Sequence, residues 1–515
     1  MMMNSEAKQI SYSVFGIAAI LFLLATIFAF WNLSKVVFNS YPANDFSAHI
    51  VKIKFAREFG MTQNVTYWNN GQFKTGMIYG PAWYFYASII DYFVSDVRLT
   101  FIITQVSLFI LGFLGFLAYS RLKKFSLLKI ITLYLLFFCS PLAIAYFLGL
   151  GSVGGLLGWV MIIFILTMIE KYKEISLNYW FFIIIPLFVV AILSHAYIAI
   201  VSLMILGNFL IYKLYTNKGF TKDAVIILLS IVFSVIITYF WWIDFFRLAD
   251  VLQIGTKPFP YLSFDFSVEV FVRRILFTYV LPLVFIVVFW QYVKNLERKK
   301  RIIETVYGVF PLFISIIMLT RVLYFIPALN KVGFENLCLY VYLMALLILF
   351  DKGVIIQRKY YSLLVGSLVL ISVIVGASFT ALYYNSNFDI SLQEKEAIQL
   401  VGENRSEVNK LVVLDQDISE YRPVQGVLNS YFAFEFNIST PQSHLMQITP
   451  ISVRESIVGL KNGITNGDCE LVKEKLAKLK TESVLTINID CEKIISCSEF
   501  RLLGKRDNLC LFDSI

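Results

Sequence analysis

The run Leu99-Thr-Phe-Ile-Ile-Thr-Gln-Val-Ser-Leu-Phe-Ile-Leu-Gly-Phe-Leu-Gly-Phe-Leu-Ala-Tyr-Ser120, closed by Arg121-Leu-Lys-Lys124, decides the fold class. Its apolar part carries no charge and is long enough, as a helix, to cross a hydrocarbon layer about 30 Å thick. The cations that close it belong to a loop expected to stay cytoplasmic, because basic loops resist translocation. The same alternation of apolar run and polar loop extends outward on both sides. Eleven runs read as membrane spans: Ile10–Trp31, Leu99–Ser120, Ile130–Leu148, Ser152–Ile169, Tyr179–Ser194, Ala196–Tyr212, Ala224–Trp242, Ile275–Val293, Ile302–Thr320, Phe334–Phe350 and Leu363–Tyr383. The first is too long for a removed signal peptide and lacks its cleavage pattern.

Composition points the same way. Of 515 residues, 58% are hydrophobic and 15% charged, whereas an ordinary soluble domain carries about 25% charge. Soluble, disordered and disulfide-scaffold classes are excluded for most of the chain, and a polytopic membrane helix bundle is expected. The net charge of +9 hides two halves. Residues 1–384 hold 30 Lys/Arg and 16 Asp/Glu, and residues 385–515 hold 14 and 19. The basic excess lies in short loops around Arg121–Lys129, Lys171–Lys173, Lys213–Lys222, Lys294–Arg301 and Lys352–Lys359. The alternate turns, Gly149–Gly151 and His195, hold no Lys or Arg. Membrane orientation explains this pattern better than nucleic acid, and no nucleic-acid partner is expected. The N-terminus then lies in the cytoplasm, and eleven spans place residues 385–515 outside.

The expected domains are therefore 1–384, a transmembrane domain with a long first external loop at 32–98, and 385–515, an extracytoplasmic α/β domain. Within that loop Tyr79–Val94 is apolar, but it contains Pro81 and Asp91 and is rich in aromatic residues. It reads as an interfacial or re-entrant helix. Loops of about 65 residues are uncommon and often functional. In the C-terminal domain, Leu411–Leu414 and Ser483–Ile489 read as buried strands, and Glu470–Leu479 as an amphipathic helix capped by Asp468. Phe500–Leu503 and Leu509–Phe512 flank a hairpin turn at Gly504–Asn508. Four of the six cysteines are here, at 469, 491, 497 and 510. In an oxidising compartment they predict two disulfides, with three pairings open.

Charge is scarce on the outer side, so each charged group there is informative. In Tyr41-Pro-Ala-Asn-Asp-Phe-Ser-Ala-His49, a helix starting near Asn44 puts Asp45 and His49 one turn apart on one face. Asp45 can then take a proton from an acceptor hydroxyl, and His49 can orient that carboxylate, bind a phosphate or hold the acceptor. The bland alternative is a helix cap. Tyr79 and Trp83, in Tyr79-Gly-Pro-Ala-Trp-Tyr-Phe-Tyr86, are either an aromatic anchor or a platform beside a lipid or sugar. His195 occupies an external turn and is either a polar turn residue or part of an outward-facing site. Arg247, Arg273, Arg274 and Arg321 are external cations that suit lipid headgroups or a phosphate leaving group. Glu335 can pair with Arg321 across a loop.

The segments Asp45-Phe-Ser-Ala-His49, Tyr79-Gly-Pro-Ala-Trp-Tyr-Phe85 and Leu193-Ser-His195 resemble the prokaryotic membrane family labelled 6-pyruvoyl-tetrahydropterin synthase-related. That family in turn resembles the GT-C superfamily of polytopic glycosyltransferases. The resemblance implies sugar transfer from a polyprenyl-phosphate-linked donor to a glycan, lipid or protein acceptor at the outer membrane face. It also implies that Asp45 is the catalytic base, with His49 and His195 at the accompanying histidine positions. Relatives often have an Arg where Phe334-Glu-Asn-Leu337 begins a late span, and here the charge is Glu335. Some relatives use a divalent metal, but no carboxylate set that would hold one is evident here. The alternative function on the same scaffold is a non-catalytic membrane subunit or a transporter of lipid-linked glycans.

Overall fold

The computed structural model describes residues 3–43, 45–71, 73–76, 80–149, 151–217, 221–243, 280–320, 337–352, 389–416, 426–444, 449–495, 497 and 500–514, with isolated helical positions between 363 and 373. The protein is mainly α-helical with one small mixed sheet. It divides into two compact units. One comprises Met1–Asn32, Gln105–Phe240 and Lys257–Asn385; the other comprises Leu33–Thr104, Trp241–Thr256 and Ser386–Ile515. Residues 33–104, which take in nearly all of the loop expected at 32–98 and the first residues of the span expected from Leu99, thus fold with residues 386–515.

The elements before the first unit's bundle are α1 (Met3–Asn39), α2 (Asp45–Phe59), the two-residue strands β1 (Asn64–Val65) and β2 (Phe73–Lys74), and α3 (Ala82–Val94). The bundle itself uses α4 (Val97–Lys123), α5 (Leu127–Phe138), α6 (Pro141–Ile144), α7 (Val153–Tyr172), α8 (Ile184–Ile192), α9 (Ala196–Thr216) and α10 (Lys222–Ile237). It continues with α11 (Leu281–Lys294), α12 (Arg298–Tyr307), α13 (Val309–Thr320) and α14 (Cys338–Lys352).

Among the described residues, four helices are long and apolar enough to cross a membrane, or six if each of two bent pairs is one span. The chain is a multi-pass membrane protein. Three further apolar helices, Tyr179–Ile192, Leu281–Lys294 and Cys338–Asp351, are shorter and coincide with three more of the runs expected to be spans. The expected span Leu363–Tyr383 falls almost wholly outside the described residues.

The two bends have local causes. The first, of 44°, falls where Pro141 follows Ser140 after α5. The second, of 58°, falls at Gly308 between α12 and α13. Close packing at one end of α7 depends on glycine. A Cβ at Gly154 would overlap the Ser194 carbonyl oxygen, and one at Gly158 would overlap the Ile198 side chain. This four-residue spacing of small residues lets helix backbones approach.

The second unit is completed by α15 (Leu392–Glu403), β3 (Leu411–Asp415), α16 (Gly426–Phe436), α17 (Ile451–Asn466), α18 (Cys469–Leu479), β4 (Ser483–Ile487), α19 (Glu492–Ile495), β5 (Phe500–Arg506) and β6 (Leu509–Ser514). The sheet order is β3-β4-β6-β5, with β3 parallel to β4 and the other pairs antiparallel. Side-chain alternation divides the core. Leu411, Val413, Leu485 and Ile487 pack with α15 and α16, while Val412, Leu414 and Val484 pack with α17 and α18. Both faces are covered, which explains why these short strands read as continuous apolar runs. Asp468 caps α18 by accepting from the Leu471 amide, as the sequence predicts. The cysteines pair Cys469–Cys497 and Cys491–Cys510, with Cα separations of 5.6 and 6.1 Å.

Candidate active site

The site grows from α2, which is buried on two faces. Ala48, Val51 and Phe55 pack with Val65, Trp68, Phe73 and Ala433. The spacing of Asp45, His49 and Lys52 by four and then three residues puts all three on another helical stripe. Helix α3 supplies that stripe with Trp83 and Tyr84. The His49 Nδ1 lies 2.7 Å from the Tyr84 hydroxyl. The His49 and Trp83 ring centroids are 5.7 Å apart. Trp83 is fully buried, and its Nε1 has no hydrogen-bond partner among the described residues.

Lys52 is only 1% exposed. Its Nζ stands 5.3 Å from the ring centroids of both Phe73 and Tyr84. Burial pulls its pKa down from 10.5 to about 7, against an opposing pull from the Asp45 carboxylate. Burial, reinforced by Asp45, pushes the Tyr84 hydroxyl well above its ordinary value. Both shifts follow from removing a charge from water.

Asp45 itself meets a residue from a distant part of the sequence. Its Oδ1 lies 3.1 Å from the Nε2 of His444, with the imidazole nearly buried and the carboxylate side chain 30% exposed. The segment carrying His444 is fixed to the sheet. The Gln442 side chain accepts from the Val413 amide at 3.0 Å and donates to the Val413 carbonyl at 2.8 Å. Gly426, at the start of α16, lies so close that a Cβ there would overlap the His444 carbonyl oxygen.

Further contacts hold α2 and α3. Arg57 donates through Nε and Nη2 to the two carboxylate oxygens of Asp91, at 2.7 and 2.5 Å. The Thr100 hydroxyl adds a bond to Asp91 at 3.0 Å. The Lys54 ammonium donates to the Ala433 and Phe434 carbonyls near the end of α16. Such bidentate and charge-assisted bonds fix orientation as well as adding energy.

The structure thus brings Asp45, His49 and Trp83 together. His195 belongs to the helical unit, where its ring lies 4.5 Å from that of Tyr197. Tyr79, Arg247, Arg273, Arg274, Arg321 and Glu335 lie outside the described residues. Among the described residues, His444 is a partner of the Asp45 carboxylate and Tyr84 a partner of His49. Sequence reasoning passed over both Lys52 and His444. Lys52 continues the Asp45–His49 stripe, and His444 is one of only three histidines in the chain. Among the described residues, no group of three or more His, Cys, Asp or Glu side chains is arranged to hold a metal ion.

No family model and no curated protein matches the chain, so the 6-pyruvoyl-tetrahydropterin synthase-related label has no support beyond the motifs quoted above. Among solved structures, the chain is similar to ArnT from Cupriavidus metallidurans, crystallised in the apo state. The identity is 11% and the TM-score 0.47, over 96% of this chain and 97% of that one. Likeness at this level carries no activity from one protein to the other.

Proposed function

We propose that the protein is a membrane glycosyltransferase of the GT-C type. It takes a sugar from a polyprenyl-phosphate-linked donor and passes it to an acceptor at the outer membrane face. The observation that carries this reading is the Asp45 carboxylate. It is part-exposed at the start of a helix, held by a buried imidazole, and backed by the buried Lys52 and Tyr84. A carboxylate that reaches solvent while its other contacts are fixed suits a general base. The acceptor oxygen attacks the anomeric carbon as Asp45 takes its proton, and the sugar–phosphate bond breaks with its electrons leaving on the phosphate. One catalytic carboxylate suffices when the leaving group is already a phosphate. His49, one turn along α2 from Asp45, and Trp83 are both buried and pack together, and the outer-loop cation Arg247 holds the phosphate.

The transporter reading predicts charged or broken segments near the middle of the spans. The ionised clusters of the helical unit lie instead near helix ends. Lys123 pairs with Glu170 and with Asp351, and Lys173 pairs with Glu304. The test is transfer from a panel of radiolabelled polyprenyl-phosphate sugars to a membrane extract, by wild type and Asp45→Asn in nanodiscs. Turnover is expected from wild type and a loss of at least a hundredfold from Asp45→Asn. Equal turnover by both would remove Asp45 as the base, and saturable donor binding without turnover would favour a non-catalytic or transport role.

A further inference from the structure

Among the described residues, the hydrogen-bond contacts of His444 constrain where protons sit. Its Nδ1 faces the Gly426 carbonyl at 3.3 Å, the Ser430 hydroxyl at 3.2 Å and the Ser47 hydroxyl at 3.4 Å. A carbonyl oxygen only accepts. The Ser430 hydroxyl is 3.1 Å from the same Gly426 carbonyl, four residues back on α16, and donates to it. Ser430 therefore presents a lone pair to the imidazole. The Ser47 contact is the longest of the three, and the Ser430 contact is the one within ordinary hydrogen-bond range for an N–H donor. Nδ1 is thus the nitrogen that carries hydrogen.

In a neutral imidazole the other nitrogen is then an acceptor. Yet Nε2 lies 3.1 Å from Asp45 Oδ1, and an ionised carboxylate has nothing to donate. Two acceptors at that distance repel unless a proton lies between them. Either His444 is an imidazolium facing a carboxylate, or Asp45 is protonated and donates to Nε2. Both descriptions contain the same single extra proton.

We propose that Asp45 and His444 hold one proton in common, and that loss of this shared proton sets the pH at which Asp45 becomes a base. His444 is a positioning residue in this scheme and touches no substrate. The role of the pair in catalysis rests on the glycosyl-transfer reading above; the shared proton does not. In the step itself the acceptor O–H bond breaks and its proton enters the vacated position between Oδ1 and Nε2. The acceptor oxygen bonds to the anomeric carbon, and the phosphate departs with the electron pair of the broken bond. The proton must return to water before the next turnover. A coupled pair titrates as a unit, so the relevant midpoint belongs to both groups.

Among the described residues, the titratable groups near Asp45 include His49 and Lys52 on α2 and Tyr84 on α3. Ser47 and Ser430 face His444 without titrating. Lys52 loses its own proton near neutrality, so Lys52→Met is the control that separates its titration from that of the pair.

The experiment is ¹⁵N NMR of the full chain, labelled at histidine and held in nanodiscs. Replacing each of the three histidines in turn assigns the signals. The expected result is that His444 shows Nδ1–H throughout. Its Nε2 should retain a proton, or a strong hydrogen bond to a protonated Asp45, at pH 6.5. Asp45→Asn should abolish that retention, and Lys52→Met should keep it. A neutral His444 with hydrogen on Nε2 alone at pH 6.5 would overturn the proposal, and this wild-type observation needs no variant to fold. In the transfer assay, the rise of rate with pH should follow the same midpoint. In His444→Gln it should move at least one pH unit lower. A rate profile unmoved in His444→Gln would refute the catalytic role of the pair. A shared proton in a chain that transfers no sugar would defeat the functional reading and leave the proton assignment standing.

Discussion

Lys52 offers a quantitative test of the electrostatics around Asp45. The perturbation is Lys52→Met, which keeps an unbranched stem of similar bulk and removes the charge. In the folded protein Lys52 gives up its proton at about 7, against 10.5 for an ordinary lysine. Each pH unit is worth 1.36 kcal/mol, so charging Lys52 in its buried position costs on the order of 5 kcal/mol. The sign is fixed by proton counts. Between pH 7 and 10.5 the unfolded segment holds the Lys52 proton and the folded one does not, so stability rises with pH across that window. Below pH 7 both states are charged and the full penalty stands; above 10.5 both are neutral and it vanishes. Amide hydrogen exchange over Asp45–Phe59, corrected for the intrinsic pH dependence of exchange, reads the local opening free energy. Wild type should gain roughly 2 kcal/mol of protection between pH 7 and 9. Lys52→Met should remove that slope and be more protected than wild type at pH 6. Parallel pH dependence in the two proteins, or weaker protection of Lys52→Met at pH 6, would show that Lys52 is not held near neutrality.

Two further outcomes follow from the same unit. Gly426→Ala places a methyl against the His444 backbone, which cannot rotate away as a side chain can. It should cost about 1–3 kcal/mol in thermal or denaturant stability and lower sugar transfer, whereas Gly402→Ala meets the edge of the Phe436 ring and should cost less. Non-reducing peptide mapping should recover Cys469–Cys497 and Cys491–Cys510, with Cys139 and Cys338, both buried, alkylated only after denaturation. Replacing the Cys491–Cys510 pair by alanine should lower the unfolding midpoint by the equivalent of about 2–4 kcal/mol.

The parts of this fold legible in the sequence are those with a strong local signal. The strands at Leu411 and Ser483 and the hairpin around Gly504–Asn508 emerge as expected, because short continuous apolar runs and turn residues act over a few positions. The helix after Asp468 was marked by its cap. Helix α15 bears a cap that the sequence reading passed over, the capping box of Ser391 and Glu394. The bends were less legible. Hydropathy does not say where a helix bends, and the breaks at Pro141 and Gly308 divide runs that read as continuous. His444 was beyond local reasoning altogether. It lies in an irregular segment with no periodicity, and its partner Asp45 is 399 residues away.

That separation bears on what the C-terminal residues do. A carboxylate at a helix start is normally free to cap, pair or turn to solvent, and sequence alone gave Asp45 no reason to choose. The choice is made by residues from 386 onward. Trp68 Nε1 donates to the Asn429 carbonyl, and the Tyr431 hydroxyl donates to the Pro42 carbonyl. Arg98 pairs with Glu435 at 2.7 Å. These contacts bring residues 33–104 against α16, and Gln442 then sets His444 by holding β3. The bonds of Trp68, Tyr431 and Arg98 join residues 33–104 to α16, and those of Gln442 join the His444 segment to β3. The C-terminal residues therefore serve as the support that holds Asp45 in one orientation, and a change in the sheet at Val413 is felt at the carboxylate through only two intervening side chains, Gln442 and His444.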